Sequence, residues 1–233
     1  MASWRLRWTG LFLLMNAAAA SAGPSVFSGL KKQETPAPFP LQLVADAKRD
    51  AVRQVVDRPT LSSRSQSENF NGKPEIYRFF LDHPDRACVA WRRLGAKCVS
   101  IQSRGNQLFS WADDNAGEVV WEAIVRQPGM QVWFAEGKVK PSPVMPLVPV
   151  KVVVVMRYKE YVTSEGVAAI THQTEMFIQT DSKAAALVTK MMGPGAQRMA
   201  EQGLGQFQFF FAGLVHYLDR HPDQIPTLTR EER

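Results

Sequence analysis

Val148–Arg157 (VPVKVVVVMR) and Val167–Thr180 (VAAITHQTEMFIQT) are two apolar stretches, and residues 182–219 follow them with helical spacing. Short runs rich in Val, Ile and Thr read as strands. The longer stretch opens with Asp181-Ser182 as a cap and continues through Ala184–Met192, whose residues favour a helix. Gly193-Pro194-Gly195 must interrupt it, because proline offers no N–H to the helical ladder. From Ala196 to Leu218, Met199, Phe207, Phe210, Phe211, Leu214 and Leu218 fall largely on one stripe. A terminal helix of this size has to bury that stripe, and the preceding strands are the available surface. The expected fold class is α+β: a curved antiparallel sheet of six to seven strands closing on a long C-terminal helix.

Upstream of the decisive stretch, turn chemistry divides a series of strands. Arg104-Gly105-Asn106, Asp113–Gly117 and Pro128-Gly129 are turns. Between them Phe109 and Trp111 share a face, and Val119, Trp121, Ala123 and Val125 alternate with Glu118, Glu122 and Arg126. That alternation predicts one dry face and one wet face. Residues 74–94 read as two short helices meeting at a corner, with Pro74 and Pro84 at their first positions and Gly95 as a stop. Residues 60–70 are polar, an edge strand or a loop. Residues 41–56 carry Leu41, Val44, Ala47, Ala51, Val52 and Val55 at helical spacing.

The N-terminus reads as an export signal. Arg5 and Arg7 precede the run Leu11–Ala20, and Ala20-Ser21-Ala22 fits small-residue cleavage. The run is shorter than the roughly 20 apolar residues that span a bilayer. The expected layout is a signal peptide at 1–22, a leader and N-terminal helix at 23–57, the main domain at 58–220 and a polar tail at 221–233. The expected location is periplasmic or secreted, after cleavage near Ala22. Loss of Arg5 and Arg7 lowers the net charge from +6 to +4. The remaining Lys and Arg are scattered, whereas nucleic-acid binding needs a concentrated basic footprint, so no nucleic-acid partner is expected.

Signatures of catalysis are absent: there is no GxSxG, HExxH, P-loop or CxxC. The four histidines, His83, His172, His216 and His221, do not share a metal-binding spacing, so neither metal nor cofactor is expected. Strand alternation puts His172 and Thr174 on the core-facing side with Ile170, Met176 and Ile178. A few polar groups on an apolar lining are what a pocket requires. The candidate ligand-binding set is therefore Trp121, Trp133, His172, Thr174, Met176, Phe207 and Phe210. His172 is also the one nominated acid or base. Cys88, on a helix, and Cys98, on the next strand, flank the Gly95 turn. They form either a disulfide or two buried thiols. Gly203 and Gly205, inside the terminal helix, mark either close approach to the sheet or room for a ligand.

Pro84 opening the second helix, Trp91 and Gly95 closing it, and the junction at Asp181-Ser182 stand in an element order that resembles the START-like helix-grip superfamily. That superfamily includes polyketide cyclases and lipid-transfer domains, and the resemblance spans about residues 58–220. It implies a hydrophobic cavity between sheet and helix. The leading expectation is thus an exported, non-catalytic binder of a hydrophobic small molecule, a lipid above all. Loop 139–149, with four prolines around Val144, Met145 and Leu147, would touch a membrane transiently or fold back on the sheet edge. The alternatives are a cyclase- or hydrolase-like enzyme using His172 in the same cavity, and a ligand-free structural scaffold.

Overall fold

The computed structural model describes residues 38–140, 146–181, 185–186 and 195–230 of the 233-residue chain. The expected signal peptide, the leader up to residue 37, the tip of loop 139–149 at 141–145 and the Gly193-Pro194 break lie outside the described residues. In chain order the elements are α1 (Asp46–Asp57), β1 (Leu61–Arg64), β2 (Glu68–Asn71), α2 (Pro74–Asp82) and α3 (Pro84–Arg93). Then come β3 (Gln102–Ser103), β4 (Leu108–Asp113), β5 (Gly117–Gln127), β6 (Met130–Val139), β7 (Val148–Val162), β8 (Ala168–Thr180), α4 (Gly195–Arg220) and α5 (Ile225–Leu228).

The strands form one curved, unclosed antiparallel sheet in the order β1-β8-β7-β6-β5-β4-β3. β2 also pairs with β8, Glu68 standing opposite His172 while Leu61 stands opposite Ile178. β1 and β2 are therefore two pieces of one edge strand, parted at residues 65–67. The eight strands among the described residues fill seven positions, within the expected range. The polar stretch 60–70 is this edge, and α4 lies over it.

Two proline-led helices and one long one occupy the inner face. Pro74 and Pro84 sit in the first turns of α2 and α3, and His83 serves as the end of one and the start of the other. Gly95 stops α3 with φ +87°, a backbone conformation that only glycine adopts without strain. At 26 residues, α4 is about 39 Å long. Its Phe210, Phe211, Leu214, Val215 and Leu218 are buried against Ile76, Tyr77, Phe80 and Leu81 of α2 and Ala87, Cys88 and Ala90 of α3. The Trp91 ring stacks on Phe210 at 5.4 Å and its Nε1–H donates to the Phe210 carbonyl at 3.1 Å. Gly72 lies hard against α4: a Cβ there would lie 2.6 Å from Val215 Cγ1. Gly205 is exposed and faces open space instead, so close approach to the sheet does not explain it. The tail after residue 220 contributes one anchor, Leu228 on α5, buried beside α3.

The outer face departs from expectation. A single-sided sheet was expected, but α1 covers β7 and β8 from outside. Val44, Val52 and Val55 form a second core there with Val125, Met130, Val132, Phe134, Val153 and Val155. The uninterrupted valines of β7 are explained by this arrangement: Val153 and Val155 face α1 while Val152 and Val154 face α4. Glu122, expected to face water, pairs with Lys48 of α1 at 2.7 Å. Glu175, on the same outer face, accepts from both Arg64 and Arg157. That pairing meets the desolvation cost of a carboxylate that is almost fully covered.

Candidate ligand site beneath the C-terminal helix

Strand alternation sends Trp121, Ala123, Trp133, Ala135, Val152, Val154, Met176 and Ile178 to the inner face, as the cross-strand pairs Trp121–Ala135, Trp133–Val154 and Val152–Ile178 require. α4 sits toward the β1–β8 side of the sheet, so it does not cap this surface evenly. Trp133 meets Phe207 edge to face at 6.4 Å. Met176 joins Val152, Ala200 and Leu204 in a small separate cluster. Trp121 stacks on Phe109 at 5.9 Å. Between these contacts, Trp121, Ala123, Ala135, Val154 and Phe207 point inward and yet stay only partly buried. Close-packed interiors leave few such gaps. Phe210 belongs elsewhere, since its ring is taken up by Trp91 of α3.

Two buried polar side-chain atoms on this face, Trp133 Nε1 and Ser63 Oγ, have no hydrogen-bond partner among the described residues. Such orphans are rare in native proteins, because each costs the desolvation of its polar group. Ser63 was not among the residues nominated from sequence. It lies in the polar edge stretch, where nothing marks which serine turns inward until the register with β8 is known.

His172 and Thr174 share the inner face but do not open onto the partly covered surface; both are 0% exposed. Tyr77 Oη lies 3.0 Å from His172 Nδ1, and Glu68 Oε2 lies 3.2 Å from Nε2. Burial, and then the neighbouring Tyr158, Glu68 and Glu160, push the Tyr77 phenol well above its ordinary range. The Glu68 carboxylate can only accept, which places the ring proton on Nε2, and in that tautomer of the neutral ring the phenol donates to Nδ1. Phe70 packs edge-on to the imidazole at 5.0 Å. Gln208 of α4 donates to the His172 carbonyl at 3.2 Å, and the Thr174 hydroxyl donates to Met156 Sδ at 3.3 Å. Both partners of the histidine, Tyr77 and Glu68, escaped sequence reasoning. Glu68 lies 104 residues away and is adjacent only through the β2–β8 register.

A cleft of about 620 Å³ lies apart from this surface, between α2, the β5–β6 turn and β7. Charged side chains of its lining form two pairs: Arg78 with Glu160 at 2.9 Å and Arg126 with Asp82 at 3.6 Å. No group of His, Cys, Asp and Glu among the described residues is arranged to hold a metal ion. No helix among them is long and apolar enough to cross a membrane.

No family model matches the chain, and no curated protein matches it in sequence. Among solved structures it is similar to a conserved protein from Geobacillus kaustophilus, at 15% identity and a TM-score of 0.44 over 66% of this chain and 95% of that one. It is also similar to the di-domain ARO/CYC BexL from the BE-7585A biosynthetic pathway, at 13% identity and a TM-score of 0.41 over 74% of this chain and 55% of that one. A hypothetical protein from Helicobacter pylori matches at 11% identity and a TM-score of 0.39, over 80% of this chain and 98% of that one. The chain thus spans little more than half the length of BexL. These likenesses are distant, and none carries a ligand or a reaction over to this chain. The helix-grip arrangement is read from its own topology.

Cys88 and Cys98 are unbridged, and their thiols hydrogen-bond each other. Cys98 lies on the irregular segment after α3, not on a strand as expected, because after the Gly95 turn the chain makes an isolated bridge at Lys97 and forms no strand until β3. The S–H donated by Cys88 holds the Cys98 thiol below its ordinary pKa, helped by the Arg92 guanidinium and the Val99 N–H against its burial. The same bond and deep burial push Cys88 well up. Thiolates, not thiols, react. Iodoacetamide at neutral pH should therefore label Cys98 first, followed by peptide mapping over time. In Cys88→Ala the Cys98 rate should fall several-fold. Equal labelling of the two cysteines in the native protein would refute this asymmetry.

Proposed function

We propose that this chain is an exported protein that binds a hydrophobic small molecule, a lipid in the leading case, between its sheet and α4. The observation that carries the proposal is the inner face at Trp121, Ala123, Ala135, Val154 and Phe207, apolar, inward-pointing and incompletely covered. Apolar surface left accessible inside a fold gains roughly 25 cal/mol per Å² when a ligand covers it. Export rests on Arg5, Arg7, the run Leu11–Ala20 and Ala20-Ser21-Ala22. Transient contact with a membrane through loop 139–149 belongs to the same proposal, and Leu147 in that loop is half exposed.

The acid–base alternative, with His172 as its nominated group, draws less support. Both ring nitrogens of His172 are engaged and the side chain is sealed, whereas a general base must reach the proton it removes. Native mass spectrometry of protein purified from its own cell envelope, followed by extraction of any bound molecule, tests the binding reading. We expect an adduct that is released by organic solvent, on a polypeptide whose mass begins after Ala22. Empty protein with no thermal shift across a panel of lipids would overturn it.

A further inference from the structure

We infer that the ligand is an elongated, uncharged molecule with an apolar middle and an oxygen function at each end, held by Ser63 and Trp133. This inference rests on the binding reading above and specifies what that site recognises. Its basis is a single row across the sheet. Ser63 of β1 stands opposite Met176 of β8, Met176 opposite Val154 of β7, and Val154 opposite Trp133 of β6. The two ends of the row are the two orphaned polar groups of the inner face, and both residues are more than nine-tenths buried. The two positions between them are apolar: Val154 remains partly uncovered, while Met176 is covered by Ala200 and Leu204 of α4, which a ligand lying along the row displaces.

Chemistry at the ends restricts what fits. The Trp133 indole can only donate, so its partner is an acceptor: a carbonyl, ether or hydroxyl oxygen. The Ser63 hydroxyl both donates and accepts, so a second hydroxyl or carbonyl suits it. No Lys or Arg stands in the row, and burying a carboxylate without a cation is costly, so the terminal oxygens are neutral. Three strand spacings separate β1 from β6, roughly 14 Å between backbones. A medium-length hydrocarbon chain lying across the strands bridges that distance. One buried orphan is open to the explanation of a lodged water. Two at opposite ends of one apolar row are matched in a single step by a doubly oxygenated chain.

The test is calorimetric titration of the full-length protein with decanediol, decanol and decane, followed by Ser63→Ala, Trp133→Phe and the double variant. The native protein should bind the diol about five- to tenfold tighter than the mono-alcohol, and the alkane weakest, as one neutral hydrogen bond per end implies. Either single variant should erase the advantage of diol over mono-alcohol, and the double variant should bind all three alike. Both single variants should melt at or above the native Tm, since each removes an orphan that costs stability when the site is empty. A lowered Tm would mean that the group has a structural partner, which overturns the inference. Equal native affinity for the three probes would overturn it too and leave the apolar site standing. Failure of all three to bind would sink both readings.

Discussion

His172→Ala should lower the stability of the protein by about 3–5 kcal/mol, the range for a large buried side chain that leaves both a cavity and an unpaired partner. The imidazole is wholly enclosed by Phe70, Tyr77 and the α4 side, and its loss strands the Tyr77 hydroxyl among rings. Tyr77→Phe keeps the ring and removes one hydrogen bond, so it should cost about 1–2 kcal/mol. Glu68→Gln should cost less than about 1 kcal/mol, because that side chain is 38% exposed and water can serve the site. Urea denaturation of the three variants gives the ranking. If Glu68→Gln proved as damaging as His172→Ala, the carboxylate would be the group that matters and the network would be an ion pair. If His172→Ala left stability intact but abolished ligand binding, the histidine would belong to the site after all.

The same network has an alkaline signature. Tyr77's folded-state pKa is raised by burial. Below about pH 10 the phenol is protonated in the folded and unfolded chains alike, and stability is flat with respect to it. Above that pH the unfolded chain releases the proton while the folded one retains it, so stability falls as pH rises. Tyr77→Phe should flatten part of that fall. Tyr158, also raised by burial, should leave a residual slope.

How far such a network is visible in a sequence depends on which contacts are local. Pro74, Pro84 and Gly95 act within one turn of themselves, and the helix boundaries expected from them are close to those found. The inward face of β8 follows from period-two alternation, so Ile170, His172, Thr174 and Met176 were placed on the correct side. What alternation cannot supply is the identity of a partner on a strand a hundred residues away. Glu68 and Ser63 acquire their meaning only from the pairing of β1 and β2 with β8. The valine run of β7 did hold a clue to the second layer. Strands with one wet face alternate, and this one does not, as expected of a strand covered on both sides. The clearer alternation of β5, with Glu118, Glu122 and Arg126, drew the reading toward a one-sided sheet.

That second layer is open to a direct trial. Val55→Asp should cost at least about 4 kcal/mol, because it puts an unpaired carboxylate into an apolar contact. Val55 is fully buried on α1 against the valines of the outer core, as is Val52. Full burial of each valine is worth about 1.5–3 kcal/mol, so a few such residues carry most of the hold on α1, beside the Lys48–Glu122 pair and the bonds from Gln179 to the Gln54 and Arg58 carbonyls. Whole domains are stable by only about 5–15 kcal/mol, and one such substitution therefore removes a large share. Released from the sheet, α1 would uncover Val132, Phe134, Val153 and Val155 together, a contiguous apolar patch of the kind that drives association. Size-exclusion chromatography should show Val55→Asp as oligomers or aggregate, with a depressed melting temperature by circular dichroism. Gln54→Glu, on the exposed side of the same turn, should stay at the native position in both measurements. A monomeric Val55→Asp with an unchanged melting temperature would mean that α1 does not cover the outer face. The valines of β7 would then need another cover, and the two-layer reading of this fold would fail.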